Sequence, residues 1–313
     1  MWPDAGTLAV RPDRKEVIRA AAVCSWSGRK GGSYMKKGIS YWSFAGGSLA
    51  DNLKLARDAG FDGVELAIND TGEIHLESTK EDMAKVKALM EQNGLSTYSV
   101  ANTLSWTYLF TSSCEESRKK AIEVLKKQIQ VASWLDCDTV LVVPGAVGVD
   151  FLPVEEVVDY DIAYERSFTA IDSVKDFAKD HGVAIGVENV WNKFLLSPLE
   201  MRDFIDKFDS DYVGAYFDVG NVLYSGYPDQ WIRILGKRIK KVHFKDFRRS
   251  VGTIDGFVDL LAGDVDYPAV IQALKDVGYD GWVTGEMIPP YQRYPDQILY
   301  NTSKSMDRIL SGR

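Results

Sequence analysis

Gly186-Val-Glu-Asn-Val-Trp-Asn192 is the stretch on which the reading of the fold turns. Ala184, Ile185 and Val187 make a short apolar run just after His181-Gly182, where a helix should stop. The run ends on an acid, Glu188, followed by Asn189 and Trp191. In a parallel α/β barrel the functional groups stand at such C-terminal strand ends. Three later apolar runs also end on a candidate metal ligand: Phe217-Asp218, Val242-His243 and Gly285-Glu286. Each of these residues alone is ordinarily a structural polar group. Two Glu, one Asp and one His at the ends of four different strands form a divalent-metal constellation.

Working outward, strands are expected at 38–42, 63–67, 95–101, 139–143, 184–188, 213–218, 239–245 and 281–286. Helices are expected between them at 49–59, 80–92, 115–135, 161–180, 197–208, 228–235, 267–277 and 295–310. Ser78 is the expected N-cap of the second helix, and Ser197-Pro198 opens another with Pro in its first turn. Eight β-α units predict an α/β fold, a (β/α)8 TIM barrel. An internal repeat agrees: Ala59-Gly-Phe-Asp-Gly-Val-Glu65 and Val277-Gly-Tyr-Asp-Gly-Trp-Val283 each end a helix on Gly, turn at Asp-Gly and enter an apolar strand. A doubly wound open sheet would need a glycine-rich dinucleotide fingerprint after its first strand, and Gly46-Gly47 before Ser48 is not one. Residues 1–34 carry prolines, a mixed charge cluster at 11–19 and a Ser/Gly-rich stretch at 25–33; they are expected to be a disordered N-terminal extension, with the catalytic barrel spanning 35–313.

The composition sets limits on partners. The chain has 313 residues, 45% hydrophobic and 26% charged, with a net charge of -8. An acidic protein lacks the basic face that nucleic acid requires. There is no apolar run long enough for a membrane span, and Ala20 to Val23 is too short for a signal-peptide core. Cys24, Cys114 and Cys137 are odd in number with no CxxC spacing, so reduced thiols and a cytoplasmic location are expected.

Histidine is scarce, with three in the chain. His181 reads as a helix C-terminal residue, favoured there by the helix dipole, and His75 as a loop residue with a substrate contact as the alternative. That leaves His243 as the imidazole ligand. Three carboxylates and one imidazole suit Mn²⁺ best, with Mg²⁺, Co²⁺ or Zn²⁺ as alternatives. Such an ion keeps coordination positions for adjacent carbonyl and hydroxyl oxygens of a substrate. Glu188 and Glu286 lie on strands that flank those of Asp218 and His243, so one can remove a proton and the other return it on the opposite face. Trp42, Phe44, Trp106 and Trp191 are candidates for an apolar wall, Trp42 and Trp191 before the others, although most tryptophans simply pack. The segment 246–266, with Gly252, Gly256 and Gly263, is a candidate lid or oligomer contact, and a homo-oligomer is expected.

Together, Val187-Glu-Asn, Phe217-Asp-Val-Gly-Asn221, Val242-His-Phe-Lys-Asp246, Gly263-Asp-Val-Asp266 and Gly285-Glu286 resemble the xylose isomerase-like barrels. More narrowly, they resemble the sugar phosphate isomerase/epimerase family that contains the ketose 3-epimerases. The resemblance runs from about Met35 to the end; its motifs are specific as a set and weak singly. It implies Glu188, Asp218, His243 and Glu286 as metal ligands, with Glu188 and Glu286 doubling as the acid/base pair. It also implies Glu65 and Arg249 as substrate contacts. Asn189, Asn221 and Lys245 join Trp42 and Trp191 as candidate substrate-binding residues, and Asp246 is expected to orient His243 or Arg249 from behind. Asn221 and Phe194 stand where epimerases of free ketoses carry His and Glu. The Asp-Val-Gly-Asn form looks more like the branch acting on phosphorylated pentuloses. Lys193, Lys245, Arg248 and Arg249 are the candidate phosphate donors, each against the plainer reading of a solvated loop cation.

The function so implied is metal-dependent epimerisation or isomerisation of a ketose, ketose phosphate or other keto-sugar through an enediolate. A dehydratase or lyase acting on a keto-sugar or ketocyclitol shares the first step and differs in what leaves. A non-catalytic sugar-binding barrel has no need of two opposed glutamates. A DNA-repair endonuclease on this fold would need more histidines and a basic face.

Overall fold

The computed structural model describes residues 35–152, 156–287 and 291–312; the expectation for 1–34 lies outside them. Eight parallel strands form a closed barrel: β1 (Lys36–Ser40), β2 (Gly63–Ile68), β3 (Ser96–Asn102), β4 (Thr139–Val142), β5 (Ala184–Glu188), β6 (Val213–Asp218), β7 (Ile239–Phe244) and β10 (Trp282–Gly285). Around the ring they run β1-β10-β7-β6-β5-β4-β3-β2. The intervening helices are α1 (Leu49–Ala59), α2 (Lys80–Gln92), α3 (Glu115–Trp134), α4 (Tyr160–Asp180), α5 (Pro198–Asp206), α6 (Pro228–Leu235), α7 (Tyr267–Asp276) and α8 (Gln297–Ser311). This is the (β/α)8 TIM barrel that the alternating pattern predicts.

Helix ends explain the agreement. Gly60 and Gly278 both have positive φ, 88° and 75°, which only glycine adopts without strain. The aromatics that follow, Phe61 and Tyr279, are buried. Gly63 then passes so close to β3 that a Cβ would stand 2.5 Å from the Ser96 carbonyl. The N-cap of α2 is Thr79, not Ser78: Thr79 and Asp82 form a reciprocal capping box, while the Ser78 hydroxyl accepts the His75 N–H.

Two further departures shape the mouth of the barrel. The first strand ends at Ser40, and Tyr41–Ser43 forms a 3-10 turn, because the strand pairs two residues earlier than expected, Lys36 opposite Trp282. Trp42 therefore sits above the strand, over the barrel mouth. The segment after β7 folds into a small antiparallel hairpin of β8 (Asp246–Phe247) and β9 (Phe257–Val258).

Alternation on the strands divides the core. On β7, Val242 and Phe244 join the main apolar cluster, which packs strands against helices. Lys241, His243 and Lys245 take the other parity. Within the barrel Tyr98 stacks on Trp282 with centroids 4.0 Å apart and bonds Thr284 at 2.9 Å. Gly38 makes room for it, since a Cβ there would lie 2.0 Å from the Tyr98 hydroxyl oxygen. The interior is thus partly polar, which prepares a buried site above it.

Candidate metal centre and active site

The ends of β5, β6, β7 and β10 bring together Glu188, Asp218, His243 and Glu286, with one ligand atom from each inside a sphere where all pairs lie within 4.8 Å. All four are buried. Register sets this up: Asp218 pairs with His243 across β6 and β7, and His243 pairs with Thr284 one strand further on. The Glu286 N–H continues the ladder to the Phe244 carbonyl at 3.1 Å.

His243 Nε2 lies 3.0 Å from Glu65 Oε1. A carboxylate only accepts, so Nε2 carries the proton and Nδ1 faces Glu188, Asp218 and Glu286. Nδ1 is 2.9 Å from Glu286, 3.7 Å from Glu188 and 3.8 Å from Asp218. His243 Nδ1, Asp218 Oδ2 and Glu286 Oε2 are buried without a well-directed hydrogen bond. Buried polar atoms without well-directed hydrogen bonds are costly, and here three of them converge from three strands on one point, with the Lys245 ammonium as their one cationic neighbour among the described residues. That convergence, with three hard oxygens and one imidazole nitrogen, fits a divalent cation.

The electrostatics show the same demand for positive charge. Burial and the charge of Glu286 push the Glu188 carboxyl up to about 8. Burial also acts on Glu286, but Lys245 and His243 outweigh it and hold that carboxyl below the ordinary range. Burial disfavours the His243 cation, yet Glu65 and Glu286 beside it push the imidazole well above its usual value.

Glu65 was expected at the substrate. It is fully buried instead, with one oxygen at His243 and the other engaged by the hydroxyls of Tyr216 and Ser99. Asp246 was expected behind His243 or Arg249. Its carboxylate accepts the backbone N–H groups of Phe247, Leu261 and Val265, so it pins the base of the hairpin. Gly263 runs against it, where a Cβ would meet Asp246 Oδ1 at 2.2 Å.

Asn189 and Asn221 act mainly as clamps. The Asn189 carboxamide accepts the Asp218 N–H at 2.9 Å and donates to its carbonyl at 2.8 Å. Asn221 donates its backbone N–H to Asp218 Oδ1 and its side-chain N–H to the Asn189 carbonyl. The two together fix the end of β6 against the end of β5. Trp191 donates to the Asn221 carbonyl at 2.8 Å.

The phosphate candidates scatter. Lys245 lies among the four clustered side chains, with Nζ 2.7 Å from Glu286 and 3.4 Å from Asp218. Its stem runs over Gly220, where a Cβ would stand 2.4 Å from that of Lys245. Lys193 pairs with Asp150 at 2.6 Å. Arg248 donates to the Ala262 carbonyl. Arg249 donates to the Leu223 carbonyl and stacks on Tyr227. His75 stays on its loop, accepting the Glu77 N–H, and His181 ends α4 with Nδ1 2.8 Å from the Phe177 carbonyl.

A cavity of about 150 Å³ opens on Glu188, Glu286 and Lys245, walled by Trp42, Trp106 and Trp191. Phe44 packs against the main core instead. Sequence reasoning missed Phe257 and Ile254, which close this cavity from the hairpin. Their one signal was the long glycine-bearing segment itself. No helix among the described residues is long and apolar enough to cross a membrane.

The chain is similar to several known proteins. A provisionally named L-ribulose-5-phosphate 3-epimerase of Escherichia coli is 25% identical over 254 residues, 77% of this chain and 84% of that one. An inosose dehydratase of Lacticaseibacillus casei is 24% identical over 169 residues, 48% of this chain and 56% of its own. The crystal structure of a D-psicose 3-epimerase in the presence of D-fructose superposes with a TM-score of 0.72 at 18% identity, covering 89% of this chain and all of that one. The family model for the xylose isomerase-like TIM barrel matches residues 53–303. With its closed eight-stranded barrel and that match across most of its length, the chain belongs to the xylose isomerase-like TIM barrel family.

Proposed function

We propose that the protein is a metal-dependent epimerase or isomerase of a keto-sugar, working by proton transfer at a carbon next to a carbonyl. One observation carries the reading: two buried glutamates flank a His–Asp pair, with their ligand atoms gathered within 4.8 Å. Glu188, Asp218, His243 and Glu286 would hold the ion, and the oxygen-rich donor set favours Mn²⁺. When bound, it supplies Lewis-acid polarisation of the substrate carbonyl.

The chain's own groups do the rest. One glutamate takes the proton from the carbon beside the carbonyl, leaving an enediolate, and the other delivers a proton to the opposite face. Strand order supports this reading, since β5 and β10 lie on either side of β6 and β7. Lys245 offers an ammonium donor to an oxygen on which charge develops. Trp42, Trp106 and Trp191 wall the cavity and limit water. The similarity to the L-ribulose-5-phosphate 3-epimerase supports epimerisation at C3 of a ketose.

The similarity to an inosose dehydratase favours a second reading. In it the same proton abstraction is followed by loss of a β-hydroxyl as water, and the second glutamate protonates the leaving oxygen. The test incubates the Mn²⁺-loaded protein in D₂O with ketoses, ketose phosphates, keto-glycosides and inososes, followed by NMR. Epimer formation with deuterium at the inverted carbon supports the first reading, and an unsaturated product supports the second. Absence of exchange in every substrate class would overturn both.

A further inference from the structure

A second chamber lies beside the cavity that holds the glutamates. Its volume is about 570 Å³, and the two share Phe151, Val190, Trp191, Asn221 and Ile254 as a common wall. The inner cavity alone falls below the roughly 300–1,000 Å³ of small-molecule sites, whereas the outer chamber falls within it. Trp191 forms the hinge of the wall: its ring centroid is 5.2 Å from that of Phe257 on the inner side and 6.0 Å from that of Tyr224 on the outer.

The outer lining is apolar and aromatic, with Phe194, Leu195, Val222, Tyr224 and Trp231. At its rim Leu196, Tyr224 and Ile254 are 61%, 60% and 40% exposed, so apolar surface lies open at the mouth. Cations are few. Among the described residues, Lys193 is the basic residue lining the outer chamber and Lys245 the one lining the inner. Lys193 is held by Asp150, and Lys245 by Glu286 and Asp218. Neither Arg248 nor Arg249 lines either space. A phosphate dianion in the outer chamber would lose its water beside Asp150 with no spare cation among the described residues to replace it. An aromatic or aliphatic group would instead cover the open apolar rim.

We propose that the substrate is a keto-sugar carrying an aromatic or other apolar substituent, with the sugar against the glutamates and the substituent in the outer chamber. This rests on the keto-sugar reading above and names its substrate class. If the substituent is a glycosidic group, the anomeric carbon is blocked, so the reacting carbonyl belongs to another ring carbon. The substituent meets no ligand residue, so its binding energy appears in KM more than in kcat.

The experiment compares methyl and phenyl β-glycosides of the same 3-keto-hexose on the full chain, with free ketoses and ketose phosphates alongside. Calorimetry reads binding, and deuterium uptake with Mn²⁺ reads turnover. The phenyl glycoside should bind at least about tenfold more tightly than the methyl one, the scale of a few newly buried carbons. Tyr224→Ala, at an exposed position, should shrink that ratio several-fold. Exchange with equal preference for phenyl and methyl, or a ketose phosphate outrunning both, would overturn the subsite and leave the catalytic reading standing. Tighter phenyl binding without proton exchange in any substrate would overturn the catalytic reading and leave the subsite standing.

Discussion

Glu65 reaches from β2 to the imidazole of His243 on β7, three strands round the barrel, and meets Nε2 at 3.0 Å. The contact fixes both the tautomer and the plane of the ring, and so aims Nδ1 at Glu188, Asp218 and Glu286. Partners of this kind behind a ligating histidine typically contribute about 10- to 100-fold to metal affinity. Glu65→Gln should therefore weaken Mn²⁺ binding by about that factor, as measured by calorimetric titration. A residue that touched substrate instead would raise KM and leave metal affinity unchanged. That second pattern would return Glu65 to the role first expected of it.

Metal uptake should be proton-linked. Before the ion binds, burial and Glu286 hold the Glu188 carboxyl up to about 8, and Glu65 and Glu286 overcome burial to keep His243 protonated. Both must lose a proton to ligate. A group protonated when free and deprotonated when bound makes affinity rise with pH. Below about 8, Glu188 alone should change the apparent affinity by about tenfold per pH unit, and its contribution should level off above that. Titrations at pH 6, 7, 8 and 9 would show the slope. A flat profile would mean that these groups are not the ligands.

The hairpin that roofs both cavities hangs on Asp246. Its carboxylate collects three backbone N–H groups, and Gly263 leaves no space for a side chain beside it. Gly263→Ala puts a methyl group into that contact. Overpacking of this kind costs about 1–3 kcal/mol. Because the strain is local, it should appear as faster proteolysis within 248–256 together with a lower Tm. Unchanged cleavage would show that the carboxylate has room to move.

The barrel was legible because its signals are local. Gly60 and Gly278 stop helices where the repeat says they should, and Ala184–Glu188, Val213–Asp218 and Pro228–Leu235 match their expected ranges residue for residue. The four clustered positions, Glu188, Asp218, His243 and Glu286, were legible for the same reason, as each is a polar residue ending an apolar run. What the sequence did not show was the partner of each polar group behind or beside that cluster. Glu65 and His243 are 178 positions apart, and nothing near either names the other. Lys245 was expected at the substrate or a phosphate, yet it lies two residues beyond His243 with the same strand parity, so its ammonium meets Asp218 and Glu286. Asp246 takes the opposite parity and turns to backbone donors in its own loop. The hairpin escaped because each of its strands has two residues, too few for a period to show.

The two glutamates differ in their surroundings, and this makes the proton-transfer assignment testable one side at a time. Glu286 Oε2 stands 2.7 Å from the Lys245 ammonium and 2.9 Å from His243 Nδ1; Glu188 is 3.7 Å from that nitrogen. Gln in either place keeps the size and one ligand oxygen but removes the proton affinity. General acid–base catalysis is worth about 10²- to 10⁴-fold, so Glu188→Gln and Glu286→Gln should each lose at least that much turnover while retaining part of their metal. The residual chemistry should differ between them. With one glutamate gone, the other can still remove and return a proton on its own face. Each variant should then exchange deuterium into one substrate epimer and not the other, and the two variants should choose opposite epimers. Elemental analysis for metal and NMR of each epimer in D₂O read the two quantities separately. Full epimerisation by either variant would end the two-glutamate mechanism. Exchange of the same epimer by both would assign the chemistry to one glutamate and leave the other as a ligand.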